Sequence, residues 1–203
     1  MGRLGSRARS KRRGRARALW NRPGVVLGGG LLLLAVLVVL VRARGRGSGP
    51  GPEAAPEVGE AVPIEPGKHI PEGVPPTYAS EPPSSGEHYP SSLQPGFYDE
   101  DARQQMLFPE GYLTHNLEHG YILFWYDCSQ LDAAACERLK ADLQAFLQAR
   151  PERKLIAFPA AGLEAPLVLT SWGRRLALTE ADSAVLEAFV VANYNRAPEP
   201  NAP

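Results

Sequence analysis

Tyr112-Leu-Thr-His-Asn-Leu-Glu-His-Gly-Tyr-Ile-Leu-Phe-Trp-Tyr126 divides at Gly120 into two unlike halves. The first half, His115 to His119, is polar and dense in metal-binding side chains. The second, Tyr121 to Tyr126, is an unbroken run of aromatic and β-branched residues and predicts a buried strand. A histidine-rich segment running into a core strand gives a rigid position for a site. His115 and His119 are four residues apart, which puts them on one side of either a helix or a strand.

Downstream of this stretch the pattern is regular. Residues 120–127 predict a strand. Leu131 to Arg150 predicts a helix, with Leu131, Ala135, Leu139, Leu143, Phe146 and Leu147 near one face and Pro151 closing it. Lys154–Phe158, Pro166–Trp172 and Arg174–Leu178 predict three more strands. Thr179 is expected to cap a last helix reaching about Tyr194, with Asp182 at its third position. The order β-α-β-β-α predicts an α+β fold, a small mixed sheet with two packing helices. Upstream, residues 65–111 are rich in proline, which removes amide donors and excludes long helices and central strands. Their aromatic residues indicate an irregular segment that packs on the scaffold or lines a site. The domain is expected over 65–196, with 197–203 a disordered tail.

The overall charge balance, 22 basic and 22 acidic residues, conceals an asymmetry. Residues 1–22 hold nine Lys or Arg and no acid, while the part beyond residue 41 holds the remaining 13 basic and all 22 acidic residues. Between them, Gly24 to Val41 carries no charged or polar side chain. At 1.5 Å per residue, 18 residues span about 27 Å, close to a bilayer core. The expected layout is a basic cytoplasmic arm (1–23), a single transmembrane helix (24–41) and a Gly/Pro-rich linker (42–64), all preceding an extracytoplasmic domain. A cleaved signal peptide is disfavoured by the length of the apolar run and by Arg42-Ala-Arg-Gly-Arg46, a poor cleavage site. The arm lacks interleaved aromatics, so anionic lipid rather than nucleic acid is its expected partner.

Cys128 and Cys136 lie on the outer side of that layout. One ends the predicted strand and the other falls a turn into the predicted helix, which favours a disulfide over two buried thiols or metal ligation. Seven intervening residues do not make a Cys-x-x-Cys redox motif.

All four histidines, His69, His88, His115 and His119, fall within 51 residues. Convergent imidazoles suit Zn or Cu. Structural hydrogen bonding and acid–base chemistry are the alternatives. His115-Asn-Leu-Glu-His119 also fits the inverted zinc-peptidase pattern, with Glu118 as general base. That pattern needs a long helix, and Gly120 cuts this one short. No phosphate loop, dinucleotide fingerprint or nucleophile constellation is present.

Four segments carry a resemblance: Pro82-Pro-Ser-Ser-Gly-Glu-His88, Gly96-Phe-Tyr98, His115-Asn-Leu-Glu-His-Gly-Tyr121 and Thr170-Ser-Trp-Gly173. In this order they resemble the bacterial family known as domain of unknown function 3105, over about residues 65–196. The resemblance implies a membrane-anchored or exported protein, and no established activity or cofactor. It groups His88 with His115 and His119, while His69 lies where members often have a histidine. The expected function is therefore an extracytoplasmic membrane protein with a transition-metal site. His88, His115 and His119 would be ligands, His69 the fourth, and Glu118 would hydrogen-bond to a ligand or act as general base. Asn116 and the tyrosines would hydrogen-bond around them. A metal-free module that binds an envelope protein, its histidines structural, is the alternative.

Overall fold

The computed structural model describes residues 58–203 apart from Glu152. The basic arm, the apolar run 24–41 and linker residues 42–57 lie outside the described residues. Among the described residues no helix is long and apolar enough to cross a membrane.

The described residues form six strands and four α-helices, besides a short 3-10 turn at Cys128–Gln130. In chain order these are β1 (Glu60–Ala61), β2 (Gly96–Phe97), α1 (Glu100–Gln104), α2 (Glu110–Glu118), β3 (Ile122–Tyr126), α3 (Ala133–Gln148), β4 (Leu155–Pro159), β5 (Leu167–Ser171), β6 (Arg174–Leu178) and α4 (Ser183–Asn193). The strands make one sheet in the order β1-β6-β5-β3-β4-β2. β4 runs parallel to β3, as the α3 crossover requires, and also to β2, and the remaining pairs are antiparallel.

Every residue of β3, β4 and β5 is buried, because both faces of the sheet are covered. Ile122, Phe124 and Tyr126 point to one face, where Leu139, Leu143, Phe146 and Leu147 of α3 and Leu186, Phe189 and Val190 of α4 pack. Leu123 and Trp125 point to the other, against Leu113 and Leu117 of α2, Tyr121 and Leu163. The proline-rich half supplies Leu93 and Tyr98 to that second layer. The expected irregular segment is thus a packed layer, held to the sheet edge where β2 pairs with β4.

The strand expected over 120–127 spans Ile122–Tyr126 and the helix expected over 131–150 spans Ala133–Gln148, and three further boundaries differ for visible reasons. Ordered structure begins before Glu65: β1 pairs with β6, and Asn193 of α4 donates to the Val58 carbonyl. α4 starts at Ser183, since Asp182 itself is the N-cap, accepting from the Ala184 and Val185 amides. The segment 197–203 is not a disordered tail. Its main chain is held by the Glu118 carbonyl, the His119 ring and the Lys154 ammonium.

Cys128 and Cys136 form a disulfide with a Cα–Cα distance of 5.2 Å. It ties the turn after β3 to the first turn of α3, where Asp132 caps the helix by accepting from the Ala135 amide. Beside it the buried Asp127 carboxylate accepts from the amides of Ser129, Gly162 and Leu163. Burial alone would raise this carboxyl, but the donors together outweigh it and hold its pKa below the ordinary carboxylate value.

Candidate functional site

Two local structures carry the four histidines. His69 and His88 sit side by side in a parallel bridge, where Ile70 N donates to His88 O and His88 N donates to Lys68 O at 2.8 and 3.0 Å. His115 and His119 occupy the end of α2. That end is a Schellman motif: the Tyr121 amide donates to Asn116 O and the Gly120 amide to Leu117 O. Gly120 takes φ +87°, the left-handed conformation this cap requires and glycine adopts without penalty.

Tyr89 joins the two structures. Its amide donates to the Gly111 carbonyl, and its ring lies on Gly111 so closely that a Cβ there would come within 2.5 Å of it. The resulting ring centroids are 4.7 Å apart for His69 and His88, 5.2 Å for His88 and His115, and 5.3 Å for His69 and His115. The donor atoms of these three all lie within 4.8 Å of one another. His119 lies outside that group of three and touches it only through His115, with Nε2 to Nε2 at 2.9 Å. His88, His115 and His119 are buried and His69 is exposed.

The protonation pattern follows from the outer ring nitrogens. Nδ1 of His88 meets Gly86 O at 2.9 Å, Nδ1 of His115 meets Tyr89 O at 2.5 Å, and Nδ1 of His119 meets Pro203 O at 3.0 Å. A main-chain oxygen can only accept, so each Nδ1 carries the hydrogen and a neutral ring presents a bare lone pair at Nε2. Burial pushes the His115 pKa down, against the opposing effect of the Tyr89 hydrogen bond, so this ring favours the neutral form. The inward nitrogens then face poor partners. Those of His115 and His119 face each other. Nε2 of His88 lies 2.9 Å from Glu118 Oε2 yet has no hydrogen-bond partner aligned with it. Opposed lone pairs at such distances repel unless a proton or a cation lies between them.

Of the other residues expected here, Glu118 is present, packed against Gly67, where a Cβ would lie 2.7 Å from its Oε1. Asn116 is turned away: its amide accepts from the Leu93 N–H and donates to Leu93 O, tying the loop before β2 to α2. Three tyrosine hydroxyls are engaged elsewhere, Tyr89 with Val74 O, Tyr78 with Glu87 O and Tyr112 with Glu72. Tyr89 serves the site through its carbonyl instead.

Sequence reasoning missed two contributors, Lys154 and the 199–203 segment. Lys154 Nζ donates to the carbonyls of His119, Pro200 and Ala202, and burial lowers its pKa. Glu199 places Oε2 3.6 Å from His119 Nε2. Neither carries a motif, because both act through or upon main-chain oxygens. A cavity of about 240 Å³ lies elsewhere in the second layer, between Tyr78, Pro82, Arg103, Glu110, Trp125 and Leu163, and no histidine lines it.

The fold and this geometry define an α+β domain with a partly buried histidine cluster built where its irregular layer meets a short helix. The chain belongs to the family described as Protein of unknown function (DUF3105), whose model matches residues 69–203. The matched span takes in all four histidines and the segment that closes over His119. No curated protein and no solved structure matches the chain.

Proposed function

We propose that the domain binds a transition-metal ion, Zn or Cu, through His69, His88 and His115, whose donor atoms converge, with His119 beside His115 as the further ligand. One observation carries this reading. Main-chain oxygens hold Nδ1 of the three buried rings and leave their Nε2 lone pairs directed inward. This is the outer-shell arrangement that fixes tautomer and ring orientation in histidine metal sites. An all-imidazole set suits Zn or Cu(II) over Mg or Ca. The role is that of a metal carrier or a structural site. The protein would be a single-pass membrane protein with its N-terminus in the cytoplasm and the domain outside. The apolar run, the basic arm and the disulfide support that placement.

The alternative is a metal-free envelope interaction module. The same Nδ1 contacts favour it to the extent that they satisfy buried carbonyls in a layer poor in amide donors. It leaves the inward nitrogens unexplained. A hydrolase reading has less support, because Glu118 stands against the His88 ring and α2 spans nine residues. Metal analysis of the untagged chain separates the readings: bound Zn or Cu that His115→Ala/His119→Ala abolishes supports the first, and a metal-free chain supports the second.

A further inference from the structure

Tyr78 lies between the two local structures that carry the histidines. Its hydroxyl donates to the Glu87 carbonyl at 2.9 Å and accepts from Thr114 Oγ1 at 3.0 Å. Glu87 directly precedes His88, and Thr114 directly precedes His115. One oxygen therefore joins the residues that stand before two of the three convergent histidines. The ring bears on the same segment: a Cβ at Gly86, which takes φ +114°, would lie 3.2 Å from Tyr78 Cδ1. Gly86 O is the acceptor that holds His88 Nδ1 at 2.9 Å. Tyr78 is anchored in turn, because the following amide, Ala79 N, donates to Glu65 Oε2 at 3.0 Å, and Glu65 N donates to Ser85 Oγ at 2.9 Å.

These contacts are a second tie between the His88 segment and α2. The first, from Tyr89 N to Gly111 O, follows His88. The Tyr78 hydroxyl holds the residue before it. His88 is thus pinned to α2 on both sides, at Gly111 and at Thr114, about one helical turn apart. The proline-rich layer explains why a side chain makes the second tie. Pro82, Pro83 and Pro90 have no amide to offer, whereas a phenol donates and accepts at once. Burial raises the Tyr78 pKa, against the opposing effect of the Thr114 hydrogen bond, so the hydroxyl keeps its proton for Glu87. Thr114 is fully buried, and its single hydroxyl hydrogen goes to Tyr78 rather than to a carbonyl of its own helix. A site of converging ligands must be held to about 0.5 Å by supporting hydrogen bonds of this kind.

We propose that Tyr78 is a positioning residue of the histidine centre, whose hydroxyl sets the spacing of His88 and His115 and so the fit of the site to its ion. The inference rests on the metal reading above. Tyr78 acts through the main chain before His88 and through Thr114 before His115, without touching the ion itself. Its ring also lines the cavity of about 240 Å³ with Arg103, Glu110 and Trp125. Truncation to alanine would enlarge that cavity, whereas phenylalanine keeps the ring and removes only the oxygen.

The test uses the full chain in detergent, without a polyhistidine tag, and Zn(II) or Cu(II) alone as the probe. Tyr78→Phe is compared with Tyr98→Phe, which loses a hydroxyl bond to Gln94 O on a ring that packs on Phe158. Affinity is measured by competition with a chromophoric chelator, beside the Cu(II) electron paramagnetic resonance spectrum and the metal-free melting point. Tyr78→Phe should bind about tenfold more weakly and show altered copper hyperfine values. Tyr98→Phe should change at most the melting point. Thr114→Val removes the other hydroxyl while Tyr78 still reaches Glu87. It should weaken binding in the same direction, and it decides the matter if Tyr78→Phe does not fold. Wild-type affinity and spectrum in folded Tyr78→Phe, or failing that in Thr114→Val, would overturn the Tyr78 role whatever the melting point does, and leave the histidine site standing. A wild-type chain that takes up neither ion would overturn both.

Discussion

His115 and His119 oppose each other Nε2 to Nε2 at 2.9 Å, each with its other ring nitrogen committed to a main-chain oxygen. Neither neutral ring can donate to the other. The burial of His115, rather than this contact, gives the first prediction, in the absence of metal. Burial lowers the folded-state pKa of His115 below 6.5. As pH falls through that value the unfolded chain takes up the proton before the folded one, so stability falls with pH until the lowered folded-state pKa is passed. Chemical denaturation of the chelator-treated chain between pH 8 and 5 should show this decline, and His115→Gln should reduce it.

Gly67 and Gly111 both touch the site, yet alanine should act differently at each. A Cβ at Gly67 meets the Glu118 carboxylate, the free end of a flexible side chain that can move aside. Gly67→Ala should cost under about 1 kcal/mol of stability while displacing Glu118 from His88 and weakening metal binding. A Cβ at Gly111 lies 2.5–2.8 Å from three atoms of the fully buried Tyr89 ring. The helix-propensity gain of about 1 kcal/mol at that position is smaller than the overpacking cost of about 1–3 kcal/mol or more. Gly111→Ala should therefore lower stability and loosen the His88–His115 pairing together. Thermal melting combined with a metal titration distinguishes the two.

Asp127 gives an acid-stability prediction away from the histidines. Its folded-state pKa lies below the ordinary value. The stability it contributes is present above about pH 4 and is lost as pH falls through the folded-state pKa. Asp127→Asn places an NH2 group where an amide donor was accepted, and should cost about 1–3 kcal/mol at neutral pH. Its denaturation midpoint should fall less steeply than that of wild type below pH 4.

The disulfide closes a loop of eight residues' separation on the α3 and α4 face of the sheet, while the histidines belong to the opposite layer. Cys128→Ser/Cys136→Ser should lower stability by about 2–3 kcal/mol and leave metal stoichiometry unchanged. Guanidinium titration and metal analysis of the same sample check both halves.

What the sequence made legible follows from how each element is buried. β3, β4 and β5 are apolar throughout because both faces are covered, and α3 has an exposed face that gives its apolar side a helical period. α2 hides because Thr114, His115 and Asn116 are buried along with Leu113 and Leu117, so no polar face alternates with an apolar one. β1 and β2 are two residues each and are defined by pairing partners far away in the chain. The closure by 197–203 was unreadable for a further reason. Its contacts are made chiefly by main-chain carbonyls and amides, which composition does not register, so a proline-rich run resembled a loose end. The histidines were visible as types and spacing. The carbonyls that fix their tautomers were not.

The most direct test of the central claim is the metal content of the full chain, purified without a polyhistidine tag and incubated with Zn(II) or Cu(II), beside His115→Ala/His119→Ala. A metal centre predicts one equivalent bound to wild type, none to the double variant, and a melting point that chelator lowers in wild type alone. A wild-type chain that stays metal-free with both ions, and melts identically with and without chelator, would contradict it.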